Sequence, residues 1–334
     1  MQARAGGNGR TPDDYHSDMK IVALAGGVGA GKFLRGVERA EPGCLDAVVV
    51  NTGDDIEVLG LRVSPDLDSV CYWLSGAADR ERGWGVANET FHAMEELRSI
   101  EGIDAWFSLG DRDLATHLVR TQLLRRGASL SEATRTLART RFGLSARILP
   151  MSDDRVTTRI DAVDGGGQGL DLHFQEYWVL RHAADAVKGV RYEGAEGASP
   201  APGVLEAISG ADVVLLCPSN PVASIGPILA VPGIREALSA RGDLVGVSPI
   251  VGGAPLAGMA DKLMPVQGLE VSALGAACAY DGLLAGWVID ERDEGLAARI
   301  ERELSIRVAV TDTIMRDDER ARSIARVALA LAAG

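Results

Sequence analysis

The sequence predicts an α/β protein built on a doubly wound, mostly parallel Rossmann-like sheet, carrying a helical insertion and a small β excursion. Three observations predict it. Short apolar runs that are continuous rather than alternating recur along the chain, as strands covered on both faces require. Stretches of helical period alternate with those runs. A glycine-dense segment follows the first run and opens a helical stretch, the pattern of a strand turning sharply into a helix. With 334 residues, 46% hydrophobic and 24% charged, the chain is long enough for a large core, and no apolar run approaches the length of a bilayer span.

Taken in order, residues 1–18 are rich in Gly, Asp and Arg and lack an apolar segment, so they read as a disordered leader, with Met19 a second potential start. Residues 19–334 read as one domain. Ile21 to Ala25 is the first strand, and Phe33, Leu34, Val37 and Ala40 give the period of the helix after it. Ala47 to Val50 is the second strand, completing a β-α-β unit. Helical periods at Asn88–Glu101, Asp113–Arg126 and Ser131–Arg141, with N-caps expected at Asn88 and Ser131, form an insertion at about residues 75–145. Val156 to Phe174 turns strand-like around Gly165-Gly166-Gly167, a hairpin. Strands return at Ala211–Cys217, Leu244–Val247 and Gly286–Ile289, interleaved with helices at Ile234–Ala240 and Leu296–Leu304.

A formal charge of -13 and a pI near 4.9 exclude a protein whose affinity rests on neutralising many nucleic-acid phosphates. A small anionic substrate stays open where backbone N–H groups or a metal offset the global repulsion. Cys44, Cys71, Cys217 and Cys278 are far apart and no histidines pair at i,i+4, which disfavours structural zinc and fits buried thiols in a reducing cytoplasm.

Six segments carry chemistry. Gly26-Gly27-Val28-Gly29-Ala30-Gly31-Lys32 lies where strand becomes helix, so Gly27, Gly29 and Gly31 are candidate phosphate contacts. Its spacing imitates a Walker A loop, but Phe33 stands where Ser or Thr would ligate magnesium, and the dinucleotide G-x-G-x-x-G is unmet. Asn51-Thr52-Gly53-Asp54-Asp55 and Ser64-Pro65-Asp66-Leu67-Asp68 bring four carboxylates toward the C-terminal edge of the sheet, where a hard divalent cation could bridge a diphosphate; capping of the following helix is the plainer role for Asp66 and Asp68. Leu109-Gly110-Asp111-Arg112-Asp113, with His117 beyond it, offers Arg112 to a phosphate but also reads as an ordinary capped helix with a satisfied histidine. Pro218 to Ile225, with Ser219, Asn220 and Ser224, and Ser248 to Gly253, with Pro249 and Gly252, follow buried strands and suit hydrogen bonding to a nucleotide.

Together with Ile148 to Asp154 and Phe174-Gln175-Glu176, these segments resemble the 2-phospho-L-lactate transferase family of deazaflavin-coenzyme biosynthesis, the CofD or FbiA type, from Lys20 to about Asp293. The resemblance implies a magnesium-dependent cytoplasmic enzyme, a homodimer, that moves a phosphoenolpyruvyl or 2-phospho-L-lactyl group from a guanosine diphosphate donor to the deazaflavin Fo and releases GMP. It implies Asp54, Asp55, Asp66 and Asp68 as metal ligands, with Asp66 or Asp54 near the attacking hydroxyl, Asp66 marked for contact with the deazaflavin, and Arg112 assisting. The glycines, Ser219, Asn220, Ser224, Pro249 and Gly252 would embrace the nucleotide. An alanine- and arginine-rich composition tilts the donor toward enolpyruvyl. Trp73, Trp84 and Trp178 are expected in the core more than stacked on the deazaflavin. The rival readings are a nucleotide- or sugar-phosphate-binding regulator of related fold and a nicotinamide dehydrogenase, the latter weakened by the unmet fingerprint.

Overall fold

The computed structural model describes residues 19–334; the leader expected over residues 1–18 lies outside the described residues. From the first strand, β1 (Ile21–Ala25), the chain runs through α1 (Gly27–Ala40) into β2 (Leu45–Val50), then a short hairpin, β3 (Ile56–Val58) and β4 (Leu61–Val63). Helices α2 (Pro65–Ser75), α3 (His92–Ser99), α4 (Asp113–Arg125) and α5 (Leu130–Thr140) precede β5 (Arg147–Pro150). The excursion is a three-stranded antiparallel sheet, β6 (Thr157–Val163), β7 (Gly169–His173) and β8 (Ala186–Glu193), in the order β7-β6-β8. Next come α6 (Val204–Gly210), β9 (Val213–Leu216), α7 (Gly226–Ala230), α8 (Ile234–Arg241) and β10 (Leu244–Val247). A two-residue ribbon, β11 (Ile250–Val251) and β12 (Ala254–Pro255), is followed by α9 (Ala260–Leu263), α10 (Ala273–Cys278), β13 (Leu284–Ile289), α11 (Ala297–Leu304), β14 (Arg307–Val310) and α12 (Asp318–Ala333).

The central sheet is seven-stranded, every pairing is parallel, and its order is β14-β13-β10-β9-β1-β2-β5. This is the doubly wound architecture read from the sequence. Continuous apolar strands follow from burial on both faces. Val22 and Leu24 pack with Val214, Leu216 and Ile228 on one side, while Ile21, Ala23 and Ala25 pack with Phe33, Leu34 and Ile324 on the other, and all are fully buried or nearly so. The order reverses between β1 and β9, and the C-terminal edge at such a reversal is where sheets of this kind bind ligands. Among the described residues no helix is long and apolar enough to cross a membrane.

Four local expectations need correction. α1 begins at Gly27 rather than near Phe33, so the glycine segment is mostly helix. Asn88 does not cap α3: it sits at φ +55°, and the Asp111 carboxylate instead accepts from the His92 and Ala93 N–H groups at 3.0 Å each. α5 is capped by Ser129, not Ser131, in a reciprocal box with Glu132. Trp73 is buried as expected, but Trp84 and Trp178 are exposed, the Trp84 ring lying against the Arg82 guanidinium and Phe91. The hairpin at Val156–Phe174 forms as expected, and it gains a third strand, β8.

Candidate active site

The loops leaving β1 and β9 touch. Ser219 Oγ donates to the Gly26 carbonyl at 2.9 Å and accepts from the Gly26 N–H at 3.3 Å, tying the end of β1 to the end of β9. The Asn220 side chain accepts from the N–H groups of Val222 (2.9 Å) and Ala223 (3.1 Å), so it caps the wide helical turn Pro221–Ile225 from within. Ser224 closes on Gly26 so tightly that a Cβ there would stand 2.6 Å from Ser224 Cβ. At the next strand end, Gly252 takes φ +59° and donates its N–H to Asp293 at 2.9 Å, while Pro249 is half-buried between Ser248 and Ile250.

The glycines divide by role. Gly27 sits at φ +75°, a conformation that L side chains rarely adopt, and its N–H bonds the Asp66 carboxylate. Gly29 and Gly31 lie inside α1 and serve packing: a Cβ on Gly29 would stand 2.7 Å from the Pro218 carbonyl oxygen, and one on Gly31 would stand 2.7 Å from Trp73 Cβ. Lys32 points over the Trp73 ring, 5.2 Å from its centroid, away from any Walker-like role. Ser219 takes the Gly26 N–H and Asp66 the Gly27 N–H, so an anion would be left the next N–H groups in the first turn of α1, those of Val28 and Gly29.

The four aspartates separate into two pairs. Asn51 Nδ2 donates to Asp66 Oδ2 at 2.9 Å and to Asp54 Oδ1 at 3.3 Å, and it also reaches the Ala223 carbonyl at 3.3 Å. Gln175 Nε2 donates to the other Asp54 oxygen at 2.9 Å. Asp55 and Asp68 turn the opposite way. Asp55 accepts from Ser64 Oγ at 2.6 Å, and Asp68 takes both forks of the buried Arg120 guanidinium. Burial first, then the charges of Asp66 and Asp55, push the Asp54 carboxyl well above the usual range. Burial raises Asp66 to about 6 against the hydrogen bonds from Asn51 and Gly27, and raises Asp55 to about 7 against those of Ser64 and the charge of Arg120. Among the described residues no three His, Cys, Asp or Glu side chains converge as a ready metal cage. Asp54 and Asp66 nonetheless fit a hard cation, because two buried carboxylates with no cationic side chain hydrogen-bonded to either need a positive charge to ionise together, and magnesium takes one or two carboxylates plus water and substrate phosphate. Asp68, locked to Arg120, does not fit that role.

Asp66 and Asp55 make stability fall with rising pH. A carboxyl whose folded pKa is raised contributes fully below its unfolded value near 4, and the contribution is lost as pH climbs through about 6 for Asp66 and about 7 for Asp55. Metal-free protein should therefore have a higher Tm at about pH 5 than at about pH 8, and magnesium should raise Tm more at the alkaline end, since binding displaces protons. An equal magnesium shift at both pH values would contradict the assignment.

The third acidic segment is structural. Asp111 caps α3, as above. Asp113 lies 3.2 Å from His117 Nε2 and accepts from the Tyr72 hydroxyl, and these partners hold its carboxyl below the usual range despite burial. Arg112 is exposed, donates to the Ala87 carbonyl at 3.0 Å, and is not brought to the Asp54–Asp66 pair. The residues that do complete the site, Asn51, Gln175, His173 and Arg120, were given no role by the sequence reading, although Asn51 and Gln175 stand in the segments that carried the resemblance.

Fold and site together define a doubly wound α/β protein with a buried acidic pair at its topological switch point. The chain belongs to the CofD family of 2-phospho-L-lactate transferases, whose model matches residues 21–328, and it is a transferase. A phosphoenolpyruvate transferase of Streptomyces griseus is 50% identical over 316 residues, covering 94% of this chain and 98% of that protein. A 2-phospho-L-lactate transferase of Methanosarcina acetivorans is 44% identical over 311 residues, covering 93% and 98%. Among solved structures, a UPF0052-family protein from Bacillus halodurans shares the fold with a TM-score of 0.59 at 15% identity, covering 93% of this chain and 99% of that one.

Proposed function

We propose that the chain transfers a phosphoenolpyruvyl group from enolpyruvyl-diphospho-5'-guanosine to the terminal ribityl hydroxyl of the deazaflavin Fo, releasing GMP. The observation that carries this reading is the buried Asp54–Asp66 pair, joined by Asn51 at the N-terminal end of α1. A diphosphate bound at this edge meets carboxylates, so the site calls for a cation between them. Asp54 and Asp66 are the residues that would hold magnesium, which when bound supplies charge neutralisation of the two phosphoryl groups. The ribityl oxygen forms a bond to the phosphorus bearing the three-carbon acid, the bridging P–O bond to GMP breaks, and the hydroxyl proton passes to a carboxylate. Asp66, the carboxylate that the resemblance marks for contact with the deazaflavin, would take that proton. The loop that Ser219 ties to Gly26 would take the guanosine end.

The enolpyruvyl donor is favoured over the lactyl one by the 50% identity to the Streptomyces griseus phosphoenolpyruvate transferase against 44% to the archaeal lactate transferase. A cytoplasmic homodimer completes the reading and rests on the family resemblance. Purified protein incubated with Fo, magnesium and each synthetic donor should release GMP with kcat/KM at least about tenfold higher for the enolpyruvyl donor, a gap of about 1.4 kcal/mol in transition-state binding. Equal or reversed preference would overturn the donor assignment, and no product from either would overturn the reaction.

A further inference from the structure

The β6-β7-β8 sheet contributes no strand to the central sheet, yet it hydrogen-bonds three successive residues of the acidic turn. Thr158 on β6 donates its N–H to the Gly53 carbonyl at 2.6 Å. Gln175, just past β7, donates its side-chain amide to Asp54 Oδ2 at 2.9 Å. His173, the last residue of β7, lies with Nε2 3.2 Å from the Asp55 carbonyl. The tautomer of that imidazole is set by its neighbour: the Gln175 N–H donates to His173 Nδ1 at 3.0 Å, which leaves the proton on Nε2, facing the Asp55 carbonyl. The turn has no slack against this sheet, since a Cβ on Gly53 would stand 2.7 Å from Thr158 Oγ1 and 2.9 Å from Pro227 Cβ.

We propose that this excursion is a clamp that presets the Asp54 carboxylate, with Gln175 as its positioning residue. Asn51 holds one Asp54 oxygen and Gln175 the other, so the carboxylate plane is fixed from both edges and its rotation is stopped. Both donors are themselves buried, and water does not compete for them. Removing Gln175 leaves one Asp54 oxygen without its donor and free to turn away from Asp66. The role is to aim a ligand, not to touch substrate, and outer-shell partners of this kind are typically worth about 10–100-fold in metal affinity or activity. The inference rests on the reading of Asp54 as a cation-holding residue.

The test is Gln175→Met in the full chain, which keeps side-chain length and removes the donor, with Gln175→Glu as the second variant, placing a carboxylate against Asp54. Mn2+ affinity is read by electron paramagnetic resonance without nucleotide, alongside kcat and KM for donor. The expected result is a weakening of Mn2+ binding by about tenfold and a fall in kcat of at least that size, with donor KM within about twofold and a larger loss in Gln175→Glu. Parental Mn2+ affinity in a folded Gln175→Met protein overturns the proposal, and so does loss of fold in both variants, which would make the contact one of folding alone. Should the parent chain transfer nothing to Fo, the proposed reaction fails, while the Mn2+ comparison still decides the clamp.

Discussion

Asp66→Asn is expected to lower kcat by about a thousand-fold and to leave the protein folded with a Tm at or above that of the parent. The side chain keeps its shape, and its amide oxygen can accept from Asn51 as carboxylate Oδ2 does. What vanishes is the charge, and with it both a cation partner and a proton acceptor, each worth two or more orders of magnitude in reactions of this type. Stability should not fall, because burial makes the ionised carboxyl costly in the folded state. The parent's loss of Tm between about pH 5 and about pH 8 should also shrink in the variant, which lacks the titrating group. Steady-state assays beside thermal melts check both halves. Activity within a few-fold of the parent would remove Asp66 from the reaction, and a collapsed Tm would mean that its charge is structural.

The central sheet was readable because each of its inner strands is buried on both faces, so the apolar signal is local and continuous, as in Ile21 to Ala25 and Leu244 to Val247. The acids at the strand ends were equally visible, since Asp54, Asp55, Asp66 and Asp68 sit in two short polar runs beside apolar ones. How they pair was not. Asn51 reaches Asp66 across 15 positions, Arg120 reaches Asp68 across 52 and Gln175 reaches Asp54 across 121, and no periodicity encodes a contact made by tertiary folding. The glycine segment carries a second demand that sequence does not separate from an anion loop: Gly29 and Gly31 are small because Pro218 and Trp73 press against the helix. One miss had a visible signal, since Ser129 and Glu132 form a capping box that the neighbouring Ser131 obscured.

Arg120→Met should be the most destabilising single change at the site, costing about 3–5 kcal/mol, because it strands a buried carboxylate. Arg120 is buried with both terminal nitrogens on Asp68, and its charge also faces Asp55, whose carboxyl would rise further once the cation is gone. Asp68 belongs to the first turn of α2, the turn that also presents Asp66, so the pair fastens this helix start to α4. The cost should come from the uncompensated charge more than from the lost bond, since buried ion pairs return little net stability over apolar replacements. Adding Asp68→Asn to Arg120→Met should accordingly recover much of the loss, a coupling that urea denaturation of the two single variants and the double would measure. Additive losses would show that Arg120 and Asp68 stabilise α2 and α4 independently, and that α4 takes no part in setting where Asp66 stands.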